Sequence, residues 1–417
     1  MLNSNNEREL AYVVNIDAIE PIVGSDNCEA AIVGGWRVMV RKGQFKSGDL
    51  AVYFEIDSKL PDSNPCFSFM APKGYKVKTQ RYTFGGKGLM ISQGLLMSAE
   101  DFGWKQVYNE DGHGTFILDE NTSHTMMVDD DSRFLTKKLN ITYAVAEDNI
   151  RKSNGDPNQK YKAMGARHAK LAKTRWWRWL MKREWGRKLL FKFFGKKKDN
   201  PRGWPNHFPY IHKTDEERCE NMPWILQNKE PWIVTEKLDG TSCTYILEKL
   251  KGRNKFEFYV LSRNVRQKDE NQDCYHDHNI YWDLAFKYDI ENKLKAYLEA
   301  HPECTYVCIQ GEGVGSVQGN PLKLKEDDLY VFNFIDSVKG RYPSTLGKEI
   351  INEMGMKWVP ILNDNFILPD DMETFKQMAT ARSVINPAVM REGIVLRQAE
   401  NDMSFKNVSR EYLLKHS

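Results

Sequence analysis

Between Lys160 and Arg202 the chain changes character, and that break constrains what the rest can fold into. The segment carries ten lysines and six arginines against only Glu184 and Asp199, a net charge of +14. It also holds four of the eleven tryptophans: Trp176, Trp177, Trp179 and Trp185. So much charge cannot lie inside one continuous apolar core. The chain is therefore read as two folding regions, residues 1–125 and 206–417, joined by a connector over 126–205. No proline falls between Lys160 and Asn200, which predicts helix over Ala169 to Phe194. Its apolar residues do not share one face, because Trp176-Trp177 and Leu189-Leu190-Phe191 are adjacent runs. The net charge of +3 over 417 residues conceals this block, since everything outside it sums to −11. A balanced total therefore does not exclude a polyanionic partner.

The first region reads as all-β. Leu10 to Ile19 alternates loosely and ends at Glu20-Pro21. Ala30 to Val33 and Trp36 to Val40 flank Gly34-Gly35, the pattern of two strands about a tight turn. Leu50 to Ile56 follows Ser47-Gly48, and Leu89 to Met97 is interrupted at Ser92-Gln93-Gly94. Short strands at regular spacing with little helix suit a small barrel or a sandwich, with an OB-fold the leading candidate.

Hydrophobic residues make up 41% of the chain and aromatic residues 12%, enough to form packed cores. No apolar run approaches the roughly 18 residues of a membrane span, and the polar start Met1 to Leu10 is not a secretory signal pattern. Seven cysteines without regular spacing point to a cytoplasmic or other reducing intracellular compartment. Cys274, His276 and His278 have metal-ligand chemistry, but a structural zinc site needs a fourth ligand, and no second half is evident.

The last region mixes β-like runs (Trp232 to Thr235, Cys243 to Leu247, Phe256 to Leu261, Tyr306 to Gln310, Leu329 to Ile335, Gly393 to Arg397) with helical patterns over Ile290 to Ala300 and Leu346 to Met354. Glu236-Lys237-Leu238-Asp239-Gly240 closes the first run, so Lys237 stands at a strand end before a turn glycine. Five further strings follow in order. They are Ser262-Arg263-Asn264, Gln310-Gly311-Glu312-Gly313, Tyr330-Val331-Phe332-Asn333-Phe334, Arg391-Glu392-Gly393 leading into Ile394 to Arg397, and Ser404-Phe405-Lys406. Each alone is an ordinary surface turn or core strand; their order and number carry the signal.

This set resembles the motifs I, Ia, III, IIIa, IV and V of the covalent nucleotidyltransferases, the ATP-dependent polynucleotide ligases and RNA capping enzymes. It covers the 170 residues from Lys237 to Lys406. The sequence ends eleven residues after Lys406, and the barrel candidate precedes the motifs. That arrangement is similar to ATP-dependent RNA ligases of the Deinococcus/Naegleria type. Phe208-Pro209 and Lys213-Thr214-Asp215-Glu216-Glu217-Arg218 upstream, and Tyr412-Leu413-Leu414-Lys415 downstream, extend the likeness. The resemblance implies an α+β protein: an N-terminal OB-like β-barrel followed by a nucleotidyltransferase (ATP-grasp-like ligase) domain. It does not cover the basic block.

The resemblance also implies roles. Lys237 attacks the α-phosphate of ATP and holds AMP as a phosphoramidate, which requires a deprotonated amine. Lys406 and a divalent cation, Mg²⁺ or Mn²⁺, supply positive charge nearby. Glu312 and Glu392 are the metal-holding carboxylates, with Glu392 also counted as catalytic. Arg263 suits ribose or phosphate, and Phe332 suits stacking on adenine, with Phe334 the other register. Glu236, Asp239 and Gly240 complete the nucleotide-binding set. Family members commonly carry Lys-x-Lys at motif V, whereas Ser404-Phe405-Lys406 has one lysine, so the phosphate that Lys406 contacts is open. The implied substrate is RNA with 5′-phosphate and 3′-hydroxyl ends, on an RNA or DNA template, handled by a monomer. A capping-type guanylyltransferase, or a non-catalytic RNA-binding protein on a ligase scaffold, would show the same strings. The OB-like domain and the basic block are expected to bind the nucleic acid; a solvated connector helix or a membrane-surface helix fits the block's composition too.

Overall fold

The computed structural model describes residues 1–4, 7–84, 88–108, 114–119, 122–124, 131–144, 174–194, 204–205, 207–250, 255–267, 279–398 and 403–416. They belong to two compact units, Met1–Ala144 with Trp204–Ser417, and Val145–Gly203.

In the N-terminal domain, Ala11–Asn15 pairs antiparallel with Leu50–Phe54, which pairs in turn with Leu95–Met97. A second antiparallel sheet runs through Ala18–Pro21, Cys28–Val33 and Trp36–Arg41. Leu50–Phe54 is buried at all five positions. Leu50, Val52 and Phe54 pack with Phe67 and Leu135 on one side; Ala51 and Tyr53 pack with Trp36 and Val38 on the other. Burial on both faces is why this run is apolar without alternation. Residues 131–144, which the sequence places in the connector, return to this domain. Leu135 N donates to Ala11 O at 2.8 Å, Leu139 and Ile141 join the core, and Thr142–Tyr143 pairs with Ser58–Lys59.

The C-terminal domain is built on two mostly antiparallel sheets. One orders Glu217–Arg218, Ser404–Val408, Gly393–Arg397, Trp232–Lys237 and Ile361–Phe366. The other orders Phe256–Ser262, Thr241–Lys249, Tyr306–Val314, Asp328–Asp336 and Gly340–Arg341, with Lys357–Trp358 pairing beside Asp328–Asp336. Helices Ile280–Lys287, Ile290–Ala300 and Ser344–Glu353 cover the second sheet; Leu284, Leu294, Leu298 and Ile351 share a core with Ile309, Val331 and Phe334. Helix Met372–Met378 seats Phe375 against Trp232, Leu396 and Phe405 of the first sheet. Together the two domains form the expected α+β architecture, a small strand domain ahead of a larger mixed one.

The two domains meet closely. Asn221 Oδ1 accepts from Trp36 Nε1 at 2.6 Å and from Tyr12 Oη at 3.1 Å. Gly35 N donates to Glu220 O at 2.6 Å, and a Cβ on Gly35 would stand 2.6 Å from Glu220 Cα, so a side chain there would part the domains. Ile56 packs with Val408 and Leu413 across the same boundary.

Within the smaller unit the described residues form two helices, Arg175–Met181 and Glu184–Phe194, in place of one continuous helix. Gly186 permits the break: a Cβ there would lie 2.2 Å from Leu180 O, so the second helix starts hard against the end of the first. Trp179 and Trp185 meet edge to face at 5.8 Å, and the Arg183 guanidinium sits 3.8 Å from the Trp179 ring centroid. Trp176, Trp179 and Trp185 are exposed while Trp177 is buried. Residues 160–173 and 195–202 of the basic block, and Cys274, His276 and His278, lie outside the described residues. Among the described residues no helix is long and apolar enough to cross a membrane.

Candidate active site

Strand pairing assembles the site. Trp232–Lys237 runs antiparallel to Gly393–Arg397 with Lys237 opposite Gly393, so Lys237 and Glu392 stand at adjoining strand ends. The chain then turns through Leu238-Asp239-Gly240 and enters the second sheet at Thr241, opposite Gly313. Glu312 pairs with Ser242 on that sheet. The lysine therefore lies where the chain crosses between sheets, with one carboxylate contributed by each. Gly240 is required for the crossing: a Cβ would stand 2.3 Å from Gly313 O.

Lys237 Nζ donates to Glu392 Oε2 at 2.7 Å, and its side chain keeps 24% of its surface exposed. Burial pulls the ammonium's pKa down, but Glu392 and then Glu312 outweigh it, and the net shift is upward. This differs from the depressed lysine that nucleophilic attack needs, because the nearest charges here are carboxylates. Burial pushes the Glu312 carboxyl up to about 8, opposed by Lys237 and reinforced by Glu392 and Asp239. The Glu392 carboxyl is also raised, mainly by burial, against Lys237. Two carboxylates crowded into a partly buried site are underneutralised, which suits a hard divalent cation bound through oxygen. Among the described residues no group of three or more His, Cys, Asp or Glu side chains gathers as a metal cluster, so Glu312 and Glu392 would hold such an ion with water.

The remaining candidates divide into four places. Asp239 accepts a hydrogen bond from the Tyr412 hydroxyl in the helix Arg410–His416. Glu236 is buried at 2% exposure; its Oε2 accepts from Val384 N at 2.8 Å, and its Oε1 has no partner among the described residues. Phe332 is half-buried with the Arg397 guanidinium 5.6 Å from its ring centroid, whereas Phe334 is in the core. Arg263 and Lys406 converge elsewhere, on Asp215: Lys406 Nζ donates to Oδ1 at 2.8 Å and Arg263 Nη2 to Oδ2. Ser404, in the position where the resemblance leads one to expect a first lysine, faces Arg397 across the strands; both bond Glu216. Asp215, Glu216, Arg397 and Tyr412 were not singled out from the sequence as site residues. The upstream Lys213-to-Arg218 string was a signal for two of them, but a polar run does not announce burial.

The family model for RNA ligases matches residues 230–415, and one for an OB-fold domain matches residues 10–99. No curated protein matches the chain. Among solved structures, Naegleria gruberi RNA ligase with pyrophosphate is similar at 25% identity and a TM-score of 0.67, covering 98% of this chain and 99% of that one. A point mutant of the same ligase with ATP and Mn gives the same values. Another, with AMP and Mn, is 25% identical with a TM-score of 0.66 over the same shares.

Proposed function

We propose that this chain, whose residues 230–415 match the family model for RNA ligases, is an ATP-dependent RNA ligase acting through a lysyl-AMP intermediate. The observation that carries this reading is Lys237 at a sheet-to-sheet crossing, 2.7 Å from Glu392 and under the influence of Glu312. In the first step the Lys237 amine attacks the α-phosphorus of ATP; the N–P bond forms, the bond to the bridging oxygen breaks, and pyrophosphate leaves. AMP then passes to the 5′-phosphate of an RNA end, giving a 5′–5′ pyrophosphate and freeing Lys237. A 3′-hydroxyl next attacks that 5′-phosphorus, AMP leaves, and the strand is sealed.

Before the first step Lys237 must leave Glu392 and lose its proton. Glu312 and Glu392 would hold the divalent cation, whose chemistry there is neutralising charge on the phosphates. Such an ion would also cancel the carboxylate charge that keeps Lys237 protonated, so the two requirements are linked. Glu236 Oε1, buried and without a partner among the described residues, is an acceptor suited to an adenine amino group, and Phe332 offers a ring for stacking. RNA is proposed to be held by the N-terminal domain and by the exposed Trp176, Trp179 and Trp185 amid their basic neighbours.

Incubation with α-labelled ATP and Mg²⁺ tests this. A covalent label lost in Lys237→Ala is the expected result; no label with any nucleotide would leave a binding protein, and a label from GTP alone would make it a capping-type guanylyltransferase.

A further inference from the structure

Asp215 has no role in the steps above, yet three cations from distant parts of the chain meet on its carboxylate. Lys406 Nζ donates to Oδ1 at 2.8 Å, Arg263 Nη2 donates to Oδ2, and Arg8 Nη1 lies 3.8 Å from Oδ1. Asp215 and Lys406 are both largely withdrawn from water, with side-chain exposures of 11% and 9%. Among the described residues Asp215 is the carboxylate within ion-pair distance of Lys406. The backbone fixes the contact: Glu217–Arg218, just after Asp215, runs parallel to Ser404–Val408 with Arg218 registered on Lys406. Arg8 is held from the far side by Glu55, which is fully buried. Arg8 Nη2 donates to Glu55 Oε2 at 2.6 Å, and Glu55 Oε1 also accepts from the Met1 ammonium, from Tyr12 Oη at 3.0 Å and from Asn221 Nδ2 at 3.1 Å.

We propose that Asp215 is a positioning residue for nucleotidyl transfer: it keeps Lys406 charged and oriented, and Arg8 competes for the same carboxylate. This rests on the ligase reading. Lys406 is surrounded by groups that oppose its charge. Burial is the largest, and Arg8, Arg218 and Lys237 are like charges near it; Asp215 is the main opposing influence, and Glu392 lies further off. The balance leaves the ammonium depressed to about 8, where a modest change decides whether it is charged at neutral pH. Neutral Lys406 cannot offset phosphate charge. Asp215 itself stays ionised: burial pushes its carboxyl up, but Lys406, Arg8 and Arg263 together hold it well below the usual carboxylate range.

The signs are then fixed. A depressed ammonium is present below its pKa and lost as pH rises through it. Asp215→Asn removes the influence that raises this pKa, so the alkaline limb of the adenylylation rate should move to lower pH by about 1–3 units, the range for an adjacent opposite charge. Arg8→Gln removes a like charge, so the limb should move to higher pH. Asp215→Glu should recover most of the wild-type profile.

The experiment is single-turnover labelling of the full-length protein with α-labelled ATP and Mg²⁺ across pH, with thermal unfolding of each variant. Folded Asp215→Asn with its limb lowered, and Arg8→Gln with its limb raised, are the expected outcomes. A folded Asp215→Asn whose limb stays put overturns the proposal. Should that variant not unfold cooperatively, Arg8→Gln decides, and an unmoved limb overturns it. Wild type that takes no label fails the ligase reading; wild type that labels normally, beside unmoved variants, fails this inference alone.

Discussion

Two phenylalanines on one strand should separate stability from nucleotide binding. Phe332 and Phe334 are two residues apart in Asp328–Asp336, but the pairing with Tyr306–Val314 slips between Val331 and Asn333, so Phe332 sits at an irregularity and a period of two does not carry both rings to one face. Phe334 is fully buried, with the rings of Tyr297 and Tyr342 edge-on at 5.0 Å and 5.2 Å. Phe334→Ala should therefore lose about 3–5 kcal/mol of stability, the cost of deleting a buried ring and leaving a cavity. Phe332 is half-buried, with Arg397 over its ring at 5.6 Å. Losing that contact and part of a buried surface should cost about 1–1.5 kcal/mol of stability. If adenine stacks on Phe332, Phe332→Ala also forfeits about 1–3 kcal/mol of base stacking. At tenfold per 1.4 kcal/mol, the apparent affinity for ATP falls about 5- to 150-fold. Urea denaturation gives the first quantity, and the ATP dependence of covalent labelling gives the second. A Phe332→Ala protein with unaltered ATP dependence and a stability loss matching Phe334→Ala would refute the assignment, because Phe332 would then be core.

Gly240→Ala should lower adenylylation by at least about tenfold with little change in ATP affinity, since a Cβ 2.3 Å from Gly313 O forces apart the two strands that set Lys237 against Glu312; labelling rates at saturating ATP check it. Lys376 and Glu220 form a fully buried pair at 2.6 Å beside the domain boundary. Removing one partner, as in Lys376→Met, should cost about 3–5 kcal/mol, whereas Lys376→Met with Glu220→Leu should recover much of it; denaturation of the three variants measures both. Deleting residues 160–202 should weaken RNA binding and flatten its salt dependence, as expected when phosphate-neutralising cations are lost. Unchanged affinity and slope would take the block out of RNA binding, and lost binding to anionic vesicles would assign it to a membrane surface instead.

What the sequence made legible follows the physics of each residue. Ile290–Ala300 has helical periodicity and forms as expected, and the strand ending at Lys237 is a β-branched run that ends on its turn signal. Ile361–Phe366 was missed because its alternating pattern is broken by Asn363, Asp364 and Asn365, which face water on an edge strand; its partner across the sheet, not its composition, makes it a strand. Ser404–Val408 was missed for the opposite reason. Lys406 and Asn407 are polar yet buried, at 7% and 0% exposure, and only their partners reveal why. Phe332 and Phe334 are equivalent in sequence because the register slip between Val331 and Asn333 that separates them is a matter of strand pairing, not of their own spacing. Asp215 sits in a string of charges that reads as surface, and its burial depends on Arg8, Arg263 and Lys406, each remote in the chain.

The two lysines of the site share a condition that neither shows alone. Lys237 is held by Glu392 and Lys406 by Asp215, at 2.7 Å and 2.8 Å. Each amine is thus occupied by a carboxylate in the protein as it stands, and under the proposed ligase mechanism Lys237 turns to a phosphorus and Lys406 to a phosphate when ATP arrives. A buried ion pair gains little net stability, since desolvation offsets most of its attraction. Exchanging carboxylate for phosphate is therefore cheap, provided the carboxylate left behind finds a new partner. The two cases differ there. Asp215 retains Arg263 and Arg8, so it can release Lys406 without being stranded. Glu392 shares its site with Glu312, whose carboxyl is already pushed up to about 8, and has no second cation in direct contact among the described residues. Its release of Lys237 must be matched by a divalent cation or by a proton. ATP engagement should accordingly depend steeply on divalent-cation concentration through Glu392 and weakly through Asp215, and titrating Mg²⁺ against labelling rate in Glu392→Gln and Asp215→Asn would expose that asymmetry.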